Sequence, residues 1–243
     1  MKRKAMFFNP AQNINLLTNL IAYYDAFDDS VDSVSANNGT QTGATYTTGI
    51  LNKAFNFTGN PQHVNIPDSD DLSFTDGSGN DVPFTISFWM YTTGYSSTAN
   101  FIMNKRDGVT NDEWQISSTA TSITFFKYSG IPTDRIGILV PSPSLNNWHH
   151  FVYVDDGNET YSGGDWYING SLSTGKGSNN SGTYTGMSNG TQKLRLGLPV
   201  WTTSTTLQLQ GRLCEIGIWK NRELTPAEIT YLYNSGVGKT YPL

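Results

Sequence analysis

Apolar and polar positions along the chain fall into short segments rather than long helical stripes. From Leu20 onward, runs rich in β-branched and aromatic residues are separated by clusters of Gly, Asn, Asp, Ser and Pro. The runs His63–Ile66, Phe84–Tyr91, Ile123–Tyr128, Trp148–Val154, Asp165–Ile168, Lys193–Leu198 and Gly211–Trp219 read as strands, and several alternate in polarity. A period of two sends successive side chains to opposite faces, so such runs are half-buried strands. Asp76–Asp81, Asp155–Asn158 and Gly175–Ser188 carry turn chemistry. Asn169-Gly170, between Trp166–Ile168 and Ser171-Leu172, predicts a tight hairpin because both residues tolerate positive φ. Thr225-Pro226-Ala227-Glu228 is a capping box with proline at the first helical position. A helix is expected from about Pro226 to Asn234, with Ile229, Leu232 and Tyr233 on one face and Gly236 as its left-handed stop. Residues 1–19 differ from the rest and read as a leader or arm, in which Asn9, Pro10 and Gln12 suggest a short helix over Pro10–Asn19. Residues 20–243 then form one all-β domain, a sandwich.

Composition narrows the class. At 37% hydrophobic and 13% aromatic, the 243 residues hold enough material for one large core. Charged residues are only 14%, so the surface must be carried by Asn, Ser, Thr and Gly, which suit strands and turns. The formal charge is −5 and the only basic cluster is Lys2-Arg3-Lys4, which argues against a nucleic-acid partner. No run of about 18 apolar residues exists, so no membrane span is expected. The start lacks the apolar stretch of a secretory signal, and the chain is expected to be made in a cytoplasm. The single cysteine, Cys214, lies in an alternating run and reads as a buried, inert thiol.

Eight segments, in order, resemble the laminin G-like domains of the concanavalin A-like lectin/glucanase superfamily. They begin with Leu20–Tyr24, running on through Phe27-Asp28 to Asp32-Ser33. Asn52–Gly59 with Val64–Asp68, Phe84–Met90, Asn147–Val152 and Trp166–Gly170 follow. Leu194–Gly197, Gly211–Trp219 and Leu224–Ile229 close the series, which covers about residues 20–236. The resemblance implies a jelly-roll β-sandwich of two antiparallel sheets with a short C-terminal helix. It also implies a calcium site in many members, with Asp28 and Asp32 where ligands often lie and Glu215 at the frequent acidic position beside them. Glycan or protein binding on edges and loops is implied as well.

Asp25, Asp28, Asp29 and Asp32 crowd one loop, as a hard cation such as Ca²⁺ would require. Asp155, Asp156 and Glu159 form a second acidic loop. His149 and His150 are adjacent in a strand and point to opposite faces, so they cannot share a metal, and His63 stands alone; all three read as structural. Glycoside hydrolysis needs two carboxylates, about 5–5.5 Å apart for retention. The family's glucanases carry a Glu-x-Asp-x-x-Glu strand, whereas Arg212–Lys220 offers only Glu215, so no catalytic residues are expected. Trp89, Trp148, Trp166 and Trp219 fall in strands and read as core, and Trp114 can be read either way. Trp201 falls in a loop, and Tyr91 and Tyr95 flank another, which makes these three the expected ligand-binding aromatics.

The chain is therefore expected to bind or build rather than catalyse. The leading expectation is a virion protein of a phage, a capsid decoration, head fibre or tail adhesion module, homo-oligomeric and displayed on the virion surface. Its partners would be other virion proteins or cell-surface glycans, and a virion part needs no export signal because lysis releases it. The alternative is an extracellular carbohydrate-binding module or lectin of a secreted bacterial protein, and the weakest is an endo-glucanase.

Overall fold

The alternating runs pair edge to edge because each exposes a row of backbone donors and acceptors that only a neighbouring strand can satisfy. The computed structural model describes residues 14–59, 61–96 and 98–243. In chain order the strands are β1 (Leu20–Tyr24), β2 (Thr40–Thr42), β3 (Thr45–Thr48), β4 (Lys53–Phe57), β5 (His63–Ile66), β6 (Phe84–Gly94), β7 (Asn100–Lys105) and β8 (Asp112–Ser118). They continue with β9 (Ser122–Gly130), β10 (Arg135–Pro141), β11 (Trp148–Asp155), β12 (Gly164–Ile168), β13 (Ser171–Leu172), β14 (Gly177–Ser178), β15 (Leu194–Leu196) and β16 (Gln210–Lys220). One sheet runs β13-β12-β11-β6-β16-β4-β3, with β1 also on β16; the second runs β14-β10-β9-β8-β7-β15-β5-β2. Both are antiparallel, so the chain is the expected all-β sandwich.

Alternate residues of β6, namely Phe84, Ile86, Phe88 and Met90, enter the core between the sheets, where Trp114, Ile116 and Phe125 meet them. Aromatic stacking ties this core together, with Phe74 4.0 Å from Phe84 and Phe125 4.1 Å from Tyr153 between ring centroids. Thr85 points the other way: its hydroxyl donates to Arg222 O and accepts from Leu224 N, fixing the chain ahead of α1 (Pro226–Tyr233). Ile229 and Leu232 of α1 then cover Tyr23, Val152, Val154 and Trp219 on the outer face of the first sheet. Burial on both faces explains why Phe151–Val154 reads as an unbroken apolar run.

Several local expectations hold. Asn169 (φ 52°) and Gly170 (φ 78°) turn the chain between β12 and β13. Thr225 and Glu228 form the reciprocal cap of α1. Trp114, which the sequence leaves open, is core, its Nε1 donating to Leu72 O at 2.9 Å. Cys214 is buried, and burial pushes its thiol up to about 12.

Others change. The left-handed stop of α1 falls on Asn234 (φ 48°), two residues before Gly236, because the asparagine tolerates that conformation and its amide donates to Gly238 O. The first part of the helix expected over Pro10–Asn19, and with it Lys2-Arg3-Lys4, lies outside the described residues. Residues 14–19 form no helix; they run irregularly into a turn, since Leu16 is drawn into the outer core and its carbonyl accepts from Trp219 Nε1 at 2.7 Å. The strands β7, β8 and β10 were not among the expected runs.

Candidate functional site

On β5 and β15, Val64, Ile66, Leu194 and Leu196 fill the core, so His63, Asn65 and Arg195 face outward from the second sheet. Asn65 pairs in register with Arg195, which pairs in turn with Asn104 of β7. Beyond β15 the chain must turn at Gly197 (φ 88°), where a Cβ would lie 2.4 Å from the Phe57 ring. The segment that follows folds back over the sheet because Arg195 holds it: Nη1 donates to Pro199 O at 2.9 Å and Val200 O at 3.3 Å, while Nε donates to Asn65 Oδ1 at 2.8 Å.

This brings Trp201 edge-on against Phe101, with ring centroids 5.2 Å apart, and beside Gly108, whose lack of a side chain makes room for the indole. The Arg106 guanidinium lies 4.9 Å from the Trp201 ring and 4.4 Å from Tyr128. It is locked there by hydrogen bonds to Tyr128 OH (2.8 Å) and Gln115 Oε1 (2.6 Å) and by an ion pair with Asp112 Oδ2 (2.6 Å). A ring so supported is held in one orientation while 41% of Trp201 stays exposed. The result is an open groove of about 420 Å³ lined by His63, Arg195, Val200, Trp201, Thr202 and Thr203.

The groove lining carries one charged side chain, Arg195. Arg195 has no carboxylate partner among the described residues, although it is about nine-tenths buried. His63 is equally buried and its Nδ1 has no hydrogen-bond partner among the described residues. Burial, followed by the charges of Arg195 and Lys193, pushes the imidazole down to about 4, so it is neutral at pH 7. An aromatic face, fixed donors and two threonine hydroxyls can hold a polyhydroxylated ring. No carboxylate lines the groove to serve as acid, base or nucleophile.

Of the aromatics expected to bind ligand, only Trp201 lines this groove. Tyr91 is on the first sheet, packed on Trp148 at 5.7 Å and under Arg212 at 5.0 Å, and the Tyr95 hydroxyl donates to Pro143 O at 3.0 Å. The carboxylates expected to hold calcium have other partners. Asp28 is exposed and pairs with Lys53 at 3.1 Å. Asp32 accepts from Tyr23 N, Val34 N, Ser35 Oγ and Asn37 N. Glu215 accepts from Tyr23 OH at 2.6 Å, and burial pushes its carboxyl up to about 7. Among the described residues no three His, Cys, Asp or Glu side chains converge as a metal set. Of the second acidic loop, Asp155 is buried on Lys127 at 3.2 Å, and Asp156 caps its own turn through Asn158 N. His150 is enclosed by Trp89 and Tyr233 and shares a hydrogen bond with Ser87 Oγ at 2.9 Å; His149 bonds to Ser144 and Asn169.

His63, Arg106 and Arg195 were not expected at the site. The polar members of His63-Val64-Asn65-Ile66 and Leu194-Arg195-Leu196 signal an outward face, but nothing in the sequence brings the two strands side by side or lays Trp201 over them.

No curated protein matches the chain. Solved structures of the same fold include the binding domain of Paraclostridial Mosquitocidal Protein 1, with 19% identity and TM-score 0.70 over 91% of this chain and 53% of that one. The binding domain of botulinum neurotoxin DC, in complex with rat synaptotagmin II, matches at 14% identity and TM-score 0.65 over 91% and 52%. The chain thus spans about half the length of these toxin domains. Domain 4 of an extracellular arabinanase from Geobacillus stearothermophilus, in complex with arabinotriose, matches at 19% identity and TM-score 0.60 over 91% and 98%. The family profile described as Concanavalin A-like lectin/glucanases superfamily matches residues 58–230, well over half of the chain. With both sheets and the ordered motifs in place, the chain belongs to the concanavalin A-like lectin/glucanases superfamily.

Proposed function

We propose that the chain is a non-catalytic, lectin-like binding domain whose ligand is a saccharide seated in the Trp201 groove. The observation that carries this reading is the half-exposed indole, held rigid by Phe101 and Arg106 beside a groove of polar side chains. A flat ring presented in this way stacks on the apolar face of a pyranose. The absence of carboxylates from the groove lining supports binding over hydrolysis, which takes two of them. A glycan array with the intact chain tests the reading. Binding is expected, and Trp201→Ala is expected to weaken it at least tenfold. An array with no hits, or binding indifferent to Trp201, would overturn it.

The setting we propose is a virion surface, with the domain as a homo-oligomeric decoration or adhesion protein, and light scattering is expected to give a trimer or larger ring. The second setting, a binding module of a secreted protein, draws support from the near-complete overlap with the arabinanase domain, solved with arabinotriose. A monomer favours this one. Calcium at Asp28, Asp32 and Glu215 would require Asp28 to leave Lys53 and Asp32 to give up its loop donors. We therefore expect a chelator to leave the melting temperature unchanged, and a calcium-dependent rise would reverse that expectation.

A further inference from the structure

The Trp201 groove holds positive charge without a counter-ion. Arg106 is neutralised by Asp112, but Arg195 and Lys193 have no carboxylate partner among the described residues. Arg195 uses Nη1 to hold the loop and Nε to bond Asn65, which leaves Nη2 without a protein partner among the described residues. His63 lies diagonally across from it, two residues from Asn65, the register partner of Arg195. Its buried Nδ1 has no partner among the described residues, and a buried polar atom left so is destabilising. Lys193 lines the adjoining depression with Asn65 and Asp68, the latter paired with Lys105 at 2.7 Å.

A neutral sugar would satisfy the indole and the threonines but leave this charge uncompensated. We propose that the groove takes a carboxylated saccharide, a uronic or sialic acid residue, with Arg195 Nη2 meeting the carboxylate beside the His63 imidazole while Trp201 stacks on the ring. The proposal rests on the saccharide-binding reading and specifies its ligand. Guanidinium suits a carboxylate because its N–H donors match the acceptor geometry and charge strengthens each bond. A carboxylate bound beside His63 favours the protonated imidazole.

Calorimetric titration of the intact chain with methyl glucuronide and sialyllactose, against methyl glucoside and lactose, tests it. At least one acidic ligand is expected to bind tenfold or more tighter than its neutral counterpart. Arg195→Gln is expected to reduce it to the neutral level, and Trp201→Ala to abolish both. In the unmodified protein, NMR titration of His63 is expected to show its pKa rising by one unit or more with the preferred acidic ligand and not with its neutral counterpart. Equal affinity for acidic and neutral sugars, lost in Trp201→Ala, would overturn the carboxylate inference and leave saccharide binding standing. Failure of all four ligands and of a broad glycan array would remove both. Should Arg195→Gln not fold, the His63 titration decides, and an unchanged pKa with bound acidic sugar overturns the inference.

Discussion

The two adjacent histidines show how one backbone step changes a side chain's chemistry. His150 is 1% exposed between Trp89, Tyr233 and Ser87, and burial pushes its imidazole down to about 3; His149, at the strand's edge, keeps contact with solvent. Between that value and the ordinary 6.5, the unfolded chain takes up a proton that the folded chain refuses. His150 therefore contributes stability that is fully present above about 6.5 and lost as pH falls toward 3. Urea melts are expected to show the loss, and His150→Gln is expected to be flatter across that range than the parent. Cys214 is a simpler case. With its thiol pushed up to about 12 in the core, it is expected to react with a thiol reagent only on unfolding.

Elements were legible where their signals are local. Thr225 and Glu228 sit three residues apart, so α1 could be read from the sequence, and Asn169-Gly170 wrote its own turn. Thr225→Ala is expected to cost about 1 kcal/mol in thermal melts by orphaning the Glu228 amide. β7 and β8 escaped notice because Asn100, Asn104, Lys105, Asp112 and Glu113 are fully buried, yet read as polar loop residues. Their burial is permitted by bonds to other segments, such as Lys105 to Glu113 and Asp68, and Asn100 Nδ2 to Gln208 O at 2.7 Å. Polarity in a one-dimensional pattern cannot distinguish a solvated residue from one paired inside.

For the whole molecule, Lys127 links the layers. It projects from β9 in the second sheet to Asp155 on β11 in the first, at 3.2 Å, and to Asp81 at 3.0 Å, with all three side chains shielded from solvent. Lys127→Met would strand two buried carboxylates and is expected to cost about 3–5 kcal/mol in urea unfolding. Lys176→Met, which breaks the partly exposed pair with Asp165, is expected to cost under about 1 kcal/mol. The sequence alone determined the all-β class, most of the strands, the capped helix and the presence of an unusual loop tryptophan, because period-two alternation, turn residues and capping pairs act over a few positions. Only tertiary structure decided that Trp201 lies over Arg106, that His63 and Arg195 share its groove, and that Tyr91, Asp28 and Glu215 are engaged elsewhere. Those outcomes depend on which strands become neighbours. Sheet pairing brings Asn65 beside Arg195, 130 residues apart, through backbone hydrogen bonds that carry no mark in either segment.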